Sequence, residues 1–117
     1  MEESILNTVK NSIGISEDCD SFDQVIMTHI NLTFATLSQM GLGPDDGYSI
    51  TNKDNKWSEF TDSDTLLNFV KVYISSKVRL AFDPPQNSNV INAMNAQITE
   101  IEWRLSIIAS SNGGDSK

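Results

Sequence analysis

The sequence predicts an all-α domain: a small bundle of about four helices, with one long loop between helices two and three. Two observations carry this. Apolar residues recur at three- and four-residue intervals through four stretches, the spacing that gathers them on one side of a helix. Glycine and proline clusters stand between those stretches, where helices stop. A chain of 117 residues fits a single domain, here residues 1–109, with a core but little surplus stability.

The first helix is expected over Glu3 to Ile13. Ile5, Val9 and Ile13 recur every fourth residue, Glu2 and Glu3 favour the positive N-terminal end, and Gly14 stops it. The second runs from about Ser21 to Met40, capped by Asp20 or Ser21 and ended by Gly41, Gly43 and Pro44. Phe22, Val25, Ile26, Ile30, Phe34, Leu37 and Met40 fall on one broad arc, with His29 and Thr33 inside it.

The third helix is expected from Ser63 or Asp64 to Phe82, with Asp62 and Asp64 as caps. Asp83-Pro84-Pro85 ends it, because the residue before proline avoids the α region. Its apolar residues, from Leu66 and Val70 through Tyr73 and Ile74 to Val78 and Ala81, cover more than one contact face, so this is the central helix. The fourth is expected from Ser88 or Asn89 to Ile108 or Ala109. Val90, Met94, Ile98, Ile101, Leu105 and Ile108 form its stripe, and Trp103 and Ile107 point roughly the opposite way. Residues 110–117 contain no core formers and read as a disordered tail.

The loop from Gly41 to Asp62 is too long for a passive connector and carries Tyr48, Ile50, Trp57 and Phe60. Tyr48-Ser49-Ile50 reads as a short extended piece and Lys56 to Phe60 as one helical turn. Large aromatics in a loop are usually pinned down, so Trp57 and Phe60 are expected to anchor it to the domain or to a neighbouring subunit.

Composition narrows the function. Acidic residues number 16 against 8 basic ones, a net charge of −8. Such a chain does not bind a phosphate backbone by bulk attraction, although it can sit beside DNA without sticking. The N-terminus has the wrong charge for a signal peptide, and no apolar run approaches a membrane span of about 18 residues. A single cysteine, Cys19, permits neither an intramolecular disulfide nor a cysteine-based zinc site; a reducing cytoplasm is the expected setting.

No catalytic, cofactor or metal site emerges. The one histidine, His29, lies on an apolar arc and reads as a buried core residue rather than a base. Glu17-Asp18-Cys19-Asp20 and Asp45-Asp46 lack the alternating oxygen ligands of a calcium loop and read as helix-start and turn chemistry. The glycines at 41, 43 and 47 are followed by no Gly-Lys-Ser/Thr, so they form no phosphate loop. Two residues resist such readings. Lys77 falls on the apolar arc of helix three, where an unpaired ammonium is costly. Pairing with a carboxylate of helix four is expected, Glu102 first and Glu100 second. Trp103 with Ile107 reads either as a subunit contact or as a face covered by the first helix or the long loop.

Several segments, in order, resemble the head–tail connector proteins of tailed bacteriophages. They are Glu3-Ser4-Ile5-Leu6 through Gly14-Ile15, His29-Ile30-Asn31, and Gly41-Leu42-Gly43-Pro44. Val70-Lys71-Val72-Tyr73-Ile74, Lys77-Val78-Arg79-Leu80-Ala81-Phe82-Asp83-Pro84-Pro85 and Ile101-Glu102-Trp103-Arg104-Leu105 follow. The resemblance spans about residues 2 to 108. It implies a non-enzymatic helical adaptor that assembles with itself as a ring, twelve-fold when complete, beneath the portal protein. The ring extends the DNA channel, lets DNA pass without specific binding, and docks the next neck or tail-completion protein. It also implies assembly in the host cytoplasm and a final place in the virion neck. An alternative from another class is a small acidic regulator that mimics DNA, which needs carboxylates in rows at phosphate-like spacing. A cytoplasmic enzyme stands third.

Overall fold

The computed structural model describes residues 4–115, with side chains described through Ser110. Four helices run in the order α1 (Ile5–Ser12), α2 (Asp23–Gln39), α3 (Asp64–Phe82) and α4 (Ser88–Asp115), with one 3-10 turn at Trp57–Glu59 inside the long loop. The protein is all-α, as its periodicity predicts.

α3 is the axis. It packs on α2, α4 and α1, and α1 also meets α2. Val70, Tyr73, Ile74 and Val78 of α3 are sealed against Ile26, Ile30, Phe34 and Leu37 of α2 and Ile5, Leu6 and Val9 of α1. Phe22 at the start of α2 meets Phe82 at the end of α3 edge-on, ring centroids 5.3 Å apart, so these two helices run antiparallel. At about 25 cal/mol per Å² of apolar surface removed from water, burial of this layer drives folding.

The caps differ from expectation in detail. Ser4 caps α1, its Oγ accepting from the Asn7 amide at 3.2 Å, and Ser63, not Asp62 or Asp64, caps α3 by accepting from the Leu66 amide. Neither Asp20 nor Ser21 caps α2; Phe22 stands at that position with no side-chain cap. Asp23, the first residue of α2, pairs with α1. Lys10, 1% exposed, brings its ammonium to 2.8 Å from Asp23 Oδ1 and donates to the Glu17 carbonyl at 3.2 Å. The Asp23 contact has the distance of a close ion pair without the alignment of a hydrogen bond.

α4 continues to Asp115, past the end expected at Ile108 or Ala109. No proline or left-handed glycine stops it there, and Ser110, Ser111 and Asn112 are ordinary helix residues. Residues 116 and 117 of the expected tail lie outside the described residues, as do Glu2 and Glu3.

The long loop is fastened at several points. Asn31, half-buried on α2, clamps the backbone of Ile50 from both sides, donating to its carbonyl at 3.0 Å and accepting from its amide at 2.8 Å. This is a backbone-like pairing made by one side chain, and it holds Ile50, at the end of the piece expected to be extended, against α2. Farther on, the Ile5 amide donates to the Asn55 carbonyl at 3.0 Å beside an antiparallel bridge between Ser4 and Lys56. Gly43 is fixed for two reasons. Its φ of +86° belongs to the left-handed region, and any Cβ there would lie 2.4 Å from the Phe60 ring.

Candidate interaction surfaces

Among the described residues no three His, Cys, Asp or Glu side chains converge as a metal site requires, and no helix is long and apolar enough to cross a membrane. What remains to be explained is exposed apolar surface, and where it lies follows from how each helix spends its faces.

α4 reaches the bundle chiefly through α3. Ile98, Ile101 and Leu105 are buried there, and the Tyr73 hydroxyl donates to Glu102 Oε2 at 2.9 Å. Burial, then the bond to Glu102 and its negative charge, hold the Tyr73 hydroxyl well above the usual tyrosine range. The opposite side of α4 is unused: Trp103 is 59% exposed and Ile107 46%. Neither α1 nor the long loop covers them. Arg104 lies 5.5 Å from the centre of the Trp103 ring and pairs with Glu100, one turn back, at 3.2 Å.

Lys77 does not pair with Glu102. Tyr73, one turn earlier on α3, reaches that carboxylate first, and the Lys77 ammonium lies 5.8 Å from the Tyr73 ring centre. The half-buried lysine and the glutamate therefore meet the same tyrosine from different sides. A cation over an aromatic face lowers the cost of partial burial without a direct ion pair.

Trp57 and Phe60, named as candidate interface residues, are withdrawn from any interface, each only 3% exposed. They pack with Tyr48 around Phe34, whose ring centroid lies 5.0 Å from those of Tyr48 and Phe60 and 6.4 Å from Trp57. The Trp57 indole donates to Thr8 Oγ1 at 3.1 Å, joining the loop to α1. The physical reason is supply: α2 offers Phe34 as a seat, and the loop brings three rings to fill it. Tyr48 closes the turn by donating to Glu59 Oε1 at 2.7 Å. Asn55 and then Tyr48 hold the Glu59 carboxyl below its usual range, while burial and Glu59 push the Tyr48 hydroxyl up.

A second exposed face was assigned to the core by its periodicity. Phe22 and Val25 belong to the expected arc of α2, yet both are exposed, as is Leu32. The buried arc is rotated toward Met27, Ile30, Thr33 and Phe34, because α1 and α3 share α2 between them. Val25, His29, Leu32 and Thr36 then form a separate stripe at three- and four-residue spacing. His29 is half-buried on the wall of a groove rather than sealed in the core. That groove, of about 440 Å³, opens between α2 and α4 over α3, with Leu32, Leu80, Ala81 and Ile98 as its apolar lining and His29 and Lys77 as its basic groups. Leu32 escaped notice in the sequence; the signal was an α2 apolar on more than one side, as a helix with two partners is.

The carboxylates sit where they do local work. Glu17, Asp18 and Asp20 lie between α1 and α2, Asp45, Asp46, Asp54 and Glu59 in the long loop, and Asp23 and Asp64 at helix starts. Within the body of a described helix only Glu100 and Glu102 occur. No row of acids runs along any helix among the described residues.

The sequence model of a family described as phage connector protein matches residues 5–112. No curated protein and no solved structure matches the chain.

Proposed function

The chain belongs to the phage connector protein family, a family of structural connectors, and on that premise we propose the following reading. The protein is a head–tail adaptor that assembles as a ring beneath the portal, extends the DNA channel and docks the next neck or tail protein. It assembles in the host cytoplasm, ends in the virion neck, and catalyses nothing. The observation that carries this is the free side of α4. Its other side already supplies the intramolecular contact, so Trp103 and Ile107 are surplus apolar surface of the kind that anchors protein contacts. A net charge of −8 supports a channel wall along which DNA slides without adhering. The distribution of carboxylates over turns and helix starts favours this reading over DNA mimicry, which needs acids in rows.

α4 runs on through residues 110–115, and this C-terminal stretch is proposed to take part in docking. Two measurements test the reading. Native mass determination of the protein alone and mixed with portal should give a ring only, or far more readily, with portal, and would decide whether the ring is twelve-fold. Trp103→Ala and Ile107→Asp should each remain folded yet fail to join portal-bearing heads. Normal incorporation of both variants would take this face out of the mechanism.

A further inference from the structure

We infer that the groove between α2 and α4 receives the Trp103–Ile107 face of α4 from a second copy of this chain. The inference rests on the ring reading above and names the other half of its contact. A ring closed by rotation needs two different patches per subunit, one giving and one receiving. The protein has both, on different sides of α4. At ~100° per residue Trp103 and Ile107 lie about 140° and 180° around that helix from Ile98, which lines the groove. One copy therefore cannot fill its own groove, and successive copies can.

Chemistry matches the two patches. The groove is lined by Leu32, Leu80, Ala81 and Ile98, apolar groups suited to an indole and an isoleucine, and encloses about 440 Å³. Leu32, 61% exposed on its rim, is the side chain with most to gain from being covered. Two basic residues, Lys77 and His29, line the groove and no carboxylate does. The giving face carries Glu100, 65% exposed, which shares its carboxylate with Arg104, itself 49% exposed on the same face, and has room to meet Lys77 as well. Two copies of a chain with net charge −8 repel at a distance, so local pairing of opposite charges fixes both partner and register. Lys77 already lies over one aromatic ring, Tyr73, and an arriving indole offers the ammonium a second.

The test uses the full chain with Cys19→Ser, assembled on portal. One population carries Thr28→Cys, one turn before Leu32 on α2 and outside the groove lining, and the other Ser110→Cys; both sites are exposed, and Ser110 is two turns beyond Trp103 on the same face. A short bismaleimide should join unlike chains, giving 28–110 dimers well above either like pair. Assembly without those dimers, or with 110–110 pairs instead, overturns the inference and leaves the ring reading standing. Failure of the wild-type chain to assemble on portal overturns both. A charge exchange gives an independent check: Lys77→Glu and Glu100→Lys should each lower incorporation about tenfold, and together restore most of it. Two losses without restoration would show that these residues do not face each other.

Discussion

The two tryptophans of this chain have opposite fates, and the regions around them are built on different terms. Trp57 sits in the long loop, 3% exposed, with its indole bonded to Thr8 and its ring in the cluster around Phe34. Trp103 sits on a regular helix, 59% exposed, with Arg104 stacked on it. Each region also closes with a tyrosine–glutamate bond, Tyr48 to Glu59 in the loop and Tyr73 to Glu102 beneath α4. The irregular segment is thus the one most thoroughly fastened to the domain, and the regular helix keeps a face free. A loop has no backbone ladder to satisfy its polar groups or resist its entropy, so it must be held by side chains. A helix satisfies its own backbone and can leave side chains uncommitted.

The largest effect expected from breaking this contrast is at Phe34. Replacing it with alanine removes the seat of three rings at once, and buried Phe→Ala changes cost about 3–5 kcal/mol. Against a typical stability of about 5–15 kcal/mol, urea denaturation should find the variant close to unfolding at 37 °C. A midpoint near that of wild type would mean the loop cluster is not part of the cooperative core.

Asn31→Ala should come next. Both Ile50 backbone groups lose their partner, and leaving such groups unsatisfied costs about 1–3 kcal/mol. Amide exchange should quicken over residues 48 to 60 more than in α3. Uniform acceleration in both would show that the loop does not open as a separate unit.

How far the sequence could be read follows the same division. Helix periods and the proline stop after α3 were legible because each depends on residues near in sequence. The pinning of Trp57 and Phe60 was legible because large aromatics need cover, but not that Thr8 and Phe34 would supply it; whether the Trp103 side was free or covered stayed open. Asn31 was visible only as part of His29-Ile30-Asn31, with nothing to say that its partner lay 19 residues away. Lys10 was unremarkable until the fold brought Asp23 to it. Phe22 and Val25 were misjudged, and Leu32 passed over, because periodicity gives a face's composition but not which neighbours arrive to cover it. The same gap explains Lys77: helical phase put it near Glu102, but only packing shows that Tyr73 intervenes.

The tyrosine bonds give a smaller, pH-dependent effect. Tyr48 and Tyr73 both keep their protons in the folded state to higher pH than in the unfolded chain. Their contribution is therefore complete below the unfolded value of about 10 and declines as pH rises above it. Wild-type stability should fall along the alkaline limb, and Tyr73→Phe should make that fall shallower while Tyr48 still contributes. An unchanged alkaline slope in Tyr73→Phe would mean that the α3–α4 bond is not maintained in solution.

The smallest effect on folding is expected at Trp103, and its smallness is the point. Trp57→Ala and Trp103→Ala remove the same atoms, so any difference between them measures what each region has done with its tryptophan. Trp57→Ala empties a filled site and leaves Thr8 without its indole donor, and should cost about 3–5 kcal/mol. Trp103→Ala removes a ring that is 59% exposed, and substitutions at such surface positions usually fall within about ±0.5 kcal/mol. The same change should cost about 2 kcal/mol or more of subunit binding if the ring is the centre of a contact. Urea midpoints of the two variants, beside their incorporation into portal-bearing heads, separate the terms. Equal losses of stability would show that Trp103 serves the fold after all. A stable Trp103→Ala monomer that also assembles normally would leave its exposed indole without a task.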